Sequence, residues 1–279
     1  GGSHLQALAR IGISRFHVAD LDTFELANFN RQIGATMETI GRSKTEVAAA
    51  MVHNINPEAE VARFNEGIGP ETMDEFLNGL NCVVDGLEFF AMEVRRSLYR
   101  ACRSRGIPVI NAGPIGFGAS LVVFTGDSIS FDDFFRLDDS LTKTEQLLAF
   151  GLGLNPNLNS HVAPEAVDMR NQKGPALCSA CFLCSALAAQ EAVKLTIGRG
   201  RVAVAPHGKY FDLMTHRVSR LKRRPHLRRS LFGRLIRALA FRRMPQVKAL
   251  YLEELQVMEM AQQRTVVAVP APRKEVHSC

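Results

Sequence analysis

The stretch 18–44 carries side chains whose types and spacing suit nucleotide binding. Asp20 and Asp22 follow a short apolar run, and an acid at the end of a buried strand can accept hydrogen bonds from ribose hydroxyls. Further along are Arg31, whose planar guanidinium suits phosphate oxygens, and Lys44, a mobile point charge. Together these groups could neutralise a triphosphate, so the sequence predicts half of an ATP site.

A strand and a helix must position these groups. The run Arg15–Ala19 predicts a buried parallel strand that ends at the ligand edge of its sheet, and the pattern of 44–54 predicts a helix. Short apolar runs at 61–64 and 82–85 predict two more strands, the second buried on both faces. Strands that alternate with helices imply right-handed crossovers and a parallel sheet, so the first hundred residues are predicted to be α/β.

The stretch 18–44 resembles the adenylation core shared by ThiF, MoeB and the ubiquitin-activating enzymes, because it carries A-D-L-D, then N-F-N-R-Q, then G-R-S-K. Further segments are similar in the same order: LARIGISRF, INPEAEV, CVVDG, and AAQEAVKL followed by KYFDLMTHRV. The resemblance spans 1–222. It implies a Rossmann-like fold with a mostly parallel sheet, helices on both faces and an extension by antiparallel strands.

Carried over by position, the resemblance implies roles for the side chains of this core. Asp20 would hold the ribose, Arg31 would line the phosphates, and Lys44 would also touch them. The candidate nucleotide-binding residues are Gly2, Asp20, Asp22, Asn28, Arg31, Gln32 and Lys44, and the candidate catalytic residues are Arg31, Lys44 and Glu88. The alternative is a solvated loop with turn-forming asparagines and one surface lysine.

The loop that follows the third predicted strand carries two acids. The resemblance implies that this loop holds an acid linked to Mg²⁺, and Glu88 stands where the family has aspartate. Glutamate keeps the charge and the oxygen ligands that Mg²⁺ prefers but adds a methylene, so the metal could bind with shifted geometry. Asp85, at the strand end, could serve as the metal ligand instead or could have an inward structural role.

The first four residues, Gly-Gly-Ser-His, have two interpretations. They could be an expression tag, or they could be the last turn of the glycine-rich loop that precedes this helix in the family. The second is favoured because they run directly into LQALARIGI, a helical pattern closed by Gly12. The resemblance then implies that this chain lacks the family's first strand and most of its phosphate-binding loop, which leaves an incomplete nucleotide site.

The composition is that of a folded soluble protein. The chain has 279 residues, of which 46% are hydrophobic, so it can bury a substantial core. We find no apolar run long enough to span a bilayer and no signal peptide, so a cytoplasmic location is the default expectation. Six cysteines do not form the dense framework of a small secreted scaffold, and we expect reduced thiols.

Three of the cysteines, Cys178, Cys181 and Cys184, lie at i, i+3 and i+6 in an Ala/Leu-rich segment. One C-x-x-C can be half of a zinc ribbon or a redox pair, but the remaining cysteines are isolated, so structural zinc is not expected. The spacing puts all three on one side of a helix, where cysteine packs as a small hydrophobe. The alternative, from the resemblance, is that Cys178 takes over the activated acyl group.

Other charged groups have structural interpretations. A helix over 90–104 carries Arg95, Arg96 and Arg100, and we expect most of them on a basic solvated face. The acid pair at 132–133 resembles a metal site, but its flanking phenylalanines favour a helix start.

The segment 222–243 contains nine Lys or Arg and no acid, and its leucines recur every four residues, which predicts a helix. A solvated linker, or packing on an acidic partner surface, is the favoured interpretation. Contact with an anionic membrane or with nucleic-acid phosphates is the alternative. We divide the chain into an adenylation domain, 1–222, and a basic extension, 223–279, that is helical in part, including a helix over 251–263, with a disordered end over 269–279.

The resemblance implies an ATP- and Mg²⁺-dependent adenylyltransferase. A carboxylate, the C-terminus of a ubiquitin-like protein or peptide, would attack the α-phosphate with release of pyrophosphate. A different class is a nucleotide-binding or scaffolding module without turnover, which Glu88 and the missing loop favour. A third is a nicotinamide or flavin oxidoreductase, against which Arg31 and Lys44 argue. By resemblance we expect a homodimer, and no specific nucleic-acid partner.

Overall fold

Helices and strands alternate over the first part of the chain. The structure, a computed structural model, describes residues 1–155 and 167–267. The helices are α1 (Gly2–Arg10), α2 (Lys44–His53), α3 (Met73–Leu77), α4 (Met92–Ser104), α5 (Phe131–Phe135), α6 (Lys143–Leu154), α7 (Cys178–Ile197), α8 (Leu231–Arg243) and α9 (Pro245–Val267). The strands are β1 (Arg15–Ala19), β2 (Glu60–Phe64), β3 (Val83–Asp85), β4 (Val109–Ile115), β5 (Gly118–Phe124), β6 (Lys209–Asp212) and β7 (Arg217–Arg220).

The strands form two sheets. β1 pairs with β2 in parallel, with Phe16 opposite Val61. The second sheet has the order β3-β4-β5-β6-β7, in which β3 and β4 are parallel and the other three pairs are antiparallel. Parallel strands early in the chain and antiparallel strands after them confirm the predicted α/β class.

Helices cover both faces of the second sheet. In β4, Val109 belongs to a core cluster that includes Leu98 of α4, whereas its neighbour Ile110 belongs to a cluster that includes Ala188 of α7. Successive strand residues point to opposite faces, so the two clusters lie on opposite sides of the sheet. Residues 109–112 of β4 and all of β5 are therefore buried between helices on the two faces of the sheet.

Helix α7 meets the length and composition of a membrane-spanning helix, contrary to the expectation that the chain holds no such apolar run. Its residues pack on β4 and β5. Cys184 is fully buried in the cluster on that face, together with Ala188 and Ala192. The apolar composition of α7 is thus explained by packing on the sheet.

The solvated face predicted for the 90–104 helix is wrong for two arginines. Arg95 is 2% exposed and pairs with Asp85, and Arg96 is 9% exposed and pairs with Asp132 at 2.9 Å. Asp85 lies at the end of β3 and Asp132 lies in α5, and these elements come to face α4 only when the chain folds. The helix start predicted for the acid pair is confirmed, because Ser130 caps α5 by accepting a hydrogen bond from the amide of Asp133.

The last strands close the second sheet. Val204, which lies outside the named strands, makes an isolated bridge to Val123, and β6 and β7 follow, with β7 at the sheet edge. The predicted disordered end, 269–279, lies outside the described residues.

The basic extension packs on the rest of the chain, so the expectation of a solvated linker is wrong. Its anchor is Glu145, near the start of α6, whose side chain is 0% exposed. Arg228 Nε donates to this carboxylate at 2.7 Å and Arg237 Nη1 at 2.5 Å. Glu254 of α9 accepts a hydrogen bond from the amide of Thr144 at 2.9 Å. Two arginines from the extension thus pair with an acid that lies 83 and 92 residues earlier in the chain.

Replacing Glu145 by Gln is expected to destabilise the fold, because it leaves two paired guanidinium groups without their charge partner. Removing one member of a buried ion pair costs about 3–5 kcal/mol. Arg228 and Arg237 are 25% and 20% exposed, so we expect the lower end, about 3 kcal/mol. Urea unfolding at neutral pH measures this loss. The control Glu58→Gln changes an exposed glutamate and should shift the free energy of unfolding by less than about 0.5 kcal/mol.

The same ion pair gives a pH dependence with a defined sign. Burial alone would raise the pKa of Glu145, but hydrogen bonds from Arg228, Thr142 and Arg237 lower it below its usual value. Its stabilisation is therefore fully present above the ordinary glutamate pKa and is lost as pH falls through the lowered value. Equal acid sensitivity of the wild-type and Glu145→Gln proteins would contradict this assignment.

Candidate functional site

One cavity, of about 1700 Å³, brings together most of the residues singled out from the sequence. It lies between β1 and β3, and every residue of both strands lines it. The candidate site residues on its wall are Gly2, Asp20, Asp22, Arg31, Gln32, Lys44 and Glu88. Asp20, Arg31 and Lys44 therefore share one cavity.

The turn after β1 positions the two acids. The amide of Asp20 donates to the carbonyl of Phe64, which extends the pairing with β2 by one residue, and the amide of Asp22 then donates to Asp20 Oδ1 at 3.0 Å. The amide of Lys44 donates to the carbonyl of Asp22 at 3.0 Å. The N-terminus of α2 is thereby held against the acidic turn, and the positive end of a helix dipole favours an anion nearby.

The ammonium group of Lys44 forms an ion pair with the two acids of the turn. Its Nζ lies 2.7 Å from Asp22 Oδ2 and 3.9 Å from Asp20 Oδ1, and its side chain is 12% exposed. A phosphate entering the cavity could draw this ammonium group away from Asp22, whose side chain is half exposed and can be rehydrated. The arrangement suits a cation shared between protein carboxylates and a ligand.

Arg31 and Asn28 have different placements. Arg31 lines the cavity, with Nη1 donating to the carbonyl of Ala27 at 3.1 Å and to Asn30 Oδ1 at 3.0 Å. Asn28 is absent from the lining, because its Oδ1 accepts from the amide of Glu25 at 3.0 Å and caps the short 3₁₀ helix Leu26–Asn28. The structure thus brings Arg31 to the site and gives Asn28 a local capping role.

Asp85 has the inward structural role and not that of an open metal ligand. Its Oδ2 accepts from Arg95 Nε at 2.9 Å, from Tyr99 at 2.8 Å and from Asn111 at 3.0 Å, and its Oδ1 accepts from the amide of Leu87. Burial, together with the charge of Asp85, raises the pKa of Tyr99 well above its usual value, so the phenol stays a proton donor. Both carboxylate oxygens of Asp85 are therefore occupied by the protein itself.

Glu88 is the carboxylate of this loop that remains open to the cavity. It is exposed and lies on the cavity wall. No cluster of three or more potential protein ligands for a metal occurs within the residues described. Mg²⁺ does not require one, because it keeps several waters and is held by one or two carboxylates plus phosphate oxygens. Glu88 fits such a shared site.

The charged site residues predicted from the sequence suit a divalent cation together with a nucleotide. Asp20, Asp22 and Glu88 are acids and Arg31 and Lys44 are bases, and the same wall also carries Arg15, Glu60, Asp85 and Arg243. A Mg²⁺ between Glu88 and the phosphates would reduce the repulsion between these acids and a triphosphate.

Two cysteines of α7 lie at the cavity wall. Cys184 is fully buried in the core cluster behind the wall and Cys181 is half-buried, and burial raises the pKa of both thiols. Cys178, the candidate nucleophile, begins α7 and does not line the cavity. The packed-core prediction is thus confirmed for Cys184.

Two polar residues of the cavity wall carry no signal in the sequence. Among the described residues, neither ring nitrogen of the buried His4 has a hydrogen-bond partner, and burial lowers the pKa of His4 to about 3. The Oδ1 of Asn111 also has no partner in that part of the chain, although its Nδ2 donates to Asp85. Both lie within runs that read as ordinary secondary structure, so spacing alone could not mark them.

Comparisons with known proteins bear on the family and the fold of the chain. The sequence model of the ThiF family matches residues 1–230. The tRNA threonylcarbamoyladenosine dehydratase of Haemophilus influenzae is 37% identical over 113 residues, which is 40% of this chain and 42% of that protein. The sulfur carrier protein ThiS adenylyltransferase of Escherichia coli is 30% identical over 118 residues, 42% of this chain and 46% of that protein.

A solved structure extends the likeness to most of the chain. The crystal structure of E. coli MccB with ATP superposes with a TM-score of 0.59 over 80% of this chain and 61% of that chain, at 18% identity. This likeness shows the fold. The chain spans less than half the length of the curated relatives that it matches.

The buried thiols should resist alkylation in the folded protein, because burial raises the pKa of Cys102 to about 12, raises that of Cys184 further, and blocks access to both. We expect iodoacetamide at about pH 8 to leave both unmodified over a time that modifies them fully in urea. Mass spectrometry of the peptides measures this. Modification of Cys184 in native protein at the rate seen in urea would contradict the core assignment.

Proposed function

The chain belongs to the ThiF family, and on that premise we propose that it is an ATP-dependent adenylyltransferase that activates a carboxylate as an acyl-adenylate. The observation that carries the proposal is the convergence of Asp20, Arg31, Lys44 and Glu88 on one cavity. Acids for ribose and cations for phosphates are the two kinds of group that a nucleoside triphosphate needs.

The reaction requires no nucleophile from the protein. A carboxylate oxygen of the substrate forms a bond to the α-phosphorus, and the bond from that phosphorus to the bridging oxygen of pyrophosphate breaks, with the electron pair leaving on pyrophosphate. Asp20 would orient the ribose, and Arg31 and Lys44 would neutralise charge on the phosphate oxygens. Glu88 would hold Mg²⁺, which when bound supplies further charge neutralisation.

We propose that the substrate carboxylate is the C-terminus of a ubiquitin-like protein or peptide. Support comes from the name of the E. coli relative, which adenylylates the sulfur carrier protein ThiS. The cavity is also large enough for more than a nucleotide, since ligand pockets usually measure about 300–1,000 Å³.

A second candidate substrate is a carboxylate on a modified nucleoside. The H. influenzae relative is named as a tRNA threonylcarbamoyladenosine dehydratase, and a threonine joined to a carbamoyl group through its nitrogen keeps a free carboxylate. This candidate would replace the expectation of no specific nucleic-acid partner. A third possibility, a nucleotide-binding module without turnover, is favoured by the glutamate at position 88.

Replacing Lys44 by Ala should lower exchange of labelled pyrophosphate into ATP by at least about 100-fold, because a charge that stabilises the transferring phosphate is lost. The assay uses the full chain with Mg²⁺ and one of three carboxylates: a ubiquitin-like protein, a C-terminal peptide or threonylcarbamoyl-modified tRNA. Exchange with a peptide that disappears on C-terminal amidation would support a C-terminal carboxylate, and exchange with tRNA alone would support the nucleoside.

The matched control is Arg42→Ala. Arg42 is a nearby cation that pairs with Glu46 on the surface and does not line the cavity. We expect exchange within about twofold of wild type for this variant, since exposed pairs contribute little. ATP binding without exchange on any of the three carboxylates would move the assignment to the module without turnover.

We also propose, by resemblance to the family, that the protein is a cytoplasmic homodimer. Sedimentation velocity at micromolar concentration should give a species of two chains. A single-chain species over the whole concentration range would sink the dimer proposal.

A further inference from the structure

Arg95 makes more contacts with the loop that carries Glu88 than its ion pair with Asp85 requires. Its Nη2 donates to the carbonyl oxygens of Leu87 at 2.8 Å and Glu88 at 3.0 Å, and its Nη1 donates to that of Phe89 at 3.2 Å. Nε donates to Asp85 at 2.9 Å. All three nitrogens of one guanidinium group are thus used on the strand end and on three consecutive residues after it.

The rest of the buried network holds this guanidinium in place. The Arg95 group lies 4.9 Å from the centre of the Phe150 ring, and Tyr99 and Asn111 bind the same Asp85 oxygen as Arg95 does. Arg95 is 2% exposed, so its orientation is set by the protein rather than by solvent. The guanidinium group of Arg95 is therefore held in one orientation, with its donors directed at the backbone of residues 87–89.

We propose that Arg95 is a positioning residue for the proposed adenylation reaction, because it fixes the backbone of residues 87–89 so that the Glu88 carboxylate faces the cavity. The hydrogen bonds to residues 87–89 support the positioning role, and its effect on catalysis rests on the proposed function. Arg95 itself does not line the cavity. Its effect would reach a metal or nucleotide through Glu88.

Balancing the charge of Asp85 does not by itself account for the three carbonyl contacts of Arg95. Helix α4 is already anchored by the buried Leu98 and Cys102 and by the Arg96–Asp132 pair. Burying a charged group is costly, and apolar residues of similar volume often replace buried ion pairs without loss of stability. What apolar residues and lysine cannot supply is a planar fork whose donors reach three carbonyl oxygens at once.

The test compares Arg95→Lys with Arg96→Lys. Arg96 is the neighbouring buried arginine of α4, and its hydrogen bonds go to Asp132, Asp139 and Gln146. Amide hydrogen exchange over residues 86–91 reports the loop directly and needs no ligand. We expect Arg95→Lys to speed exchange in this segment at least about 10-fold relative to wild type and Arg96→Lys to leave it unchanged.

A second measurement links the loop to Glu88. The Mg²⁺ concentration that gives half-maximal binding of a fluorescent ATP analogue should rise about 10- to 100-fold in Arg95→Lys, as for other residues that orient a metal ligand. ATP-analogue affinity without Mg²⁺ should stay at the wild-type value. In a Glu88→Gln background, Arg95→Lys should add no further shift, because its effect acts through that carboxylate.

The outcomes separate this inference from the proposed function. Unchanged loop exchange in Arg95→Lys, equal effects of the two lysine variants, or a full additional shift in the Glu88→Gln background would each overturn the positioning role. Faster loop exchange and a Mg²⁺ shift that depends on Glu88, in a protein that never exchanges pyrophosphate, would support the positioning role and reject adenylation.

Discussion

A buried carboxylate, that of Asp85, is the constraint on which the candidate site depends. An ionised acid removed from water is tolerated only when its oxygens are hydrogen-bonded and its charge is balanced. Here the partners are Arg95 and Tyr99 from α4, Asn111 from β4 and the amide of Leu87. Because those partners come from three parts of the chain, satisfying one carboxylate fixes the end of β3, the helix beside it and the loop between them.

A second buried carboxylate does the same for the far end of the chain. Glu145 takes part in the capping box with Thr142 at the start of α6, and it binds Arg228 and Arg237. Arg228 lies just before α8 and Arg237 lies within it. Without those arginines the acid would be buried and unpaired, and without the acid the basic extension would lose two of its ion pairs with the core. Both buried acids act in the same way. Each needs charged partners, and these come from segments that are distant in the sequence, so pairing the acid brings those segments together.

The sequence predicts what is local and misses what is set by a distant partner. Strand β1 and helix α2 follow from apolar runs and turn residues within a few positions, and Lys44 is near enough to Asp20 for their spacing to indicate a site. Arg95 looked solvated because Asp85 faces it only after β3 and α4 pack together. The prediction that Asn28 lines the phosphates is not supported for the opposite reason. Its side chain is used locally, because its Oδ1 accepts a hydrogen bond from the amide of Glu25, three residues earlier.

The predicted site residues on the cavity wall connect the loop to the proposed reaction. Because Lys44 is paired with Asp22, a divalent cation would supply part of the positive charge that a triphosphate needs. That contribution would depend on where Glu88 points, more than on whether residue 88 is Asp or Glu, because both keep the charge. The added methylene lengthens the side chain and makes its placement more sensitive to the backbone. In the proposed reaction, a backbone fixed by Arg95 would therefore allow the longer glutamate side chain to hold the metal.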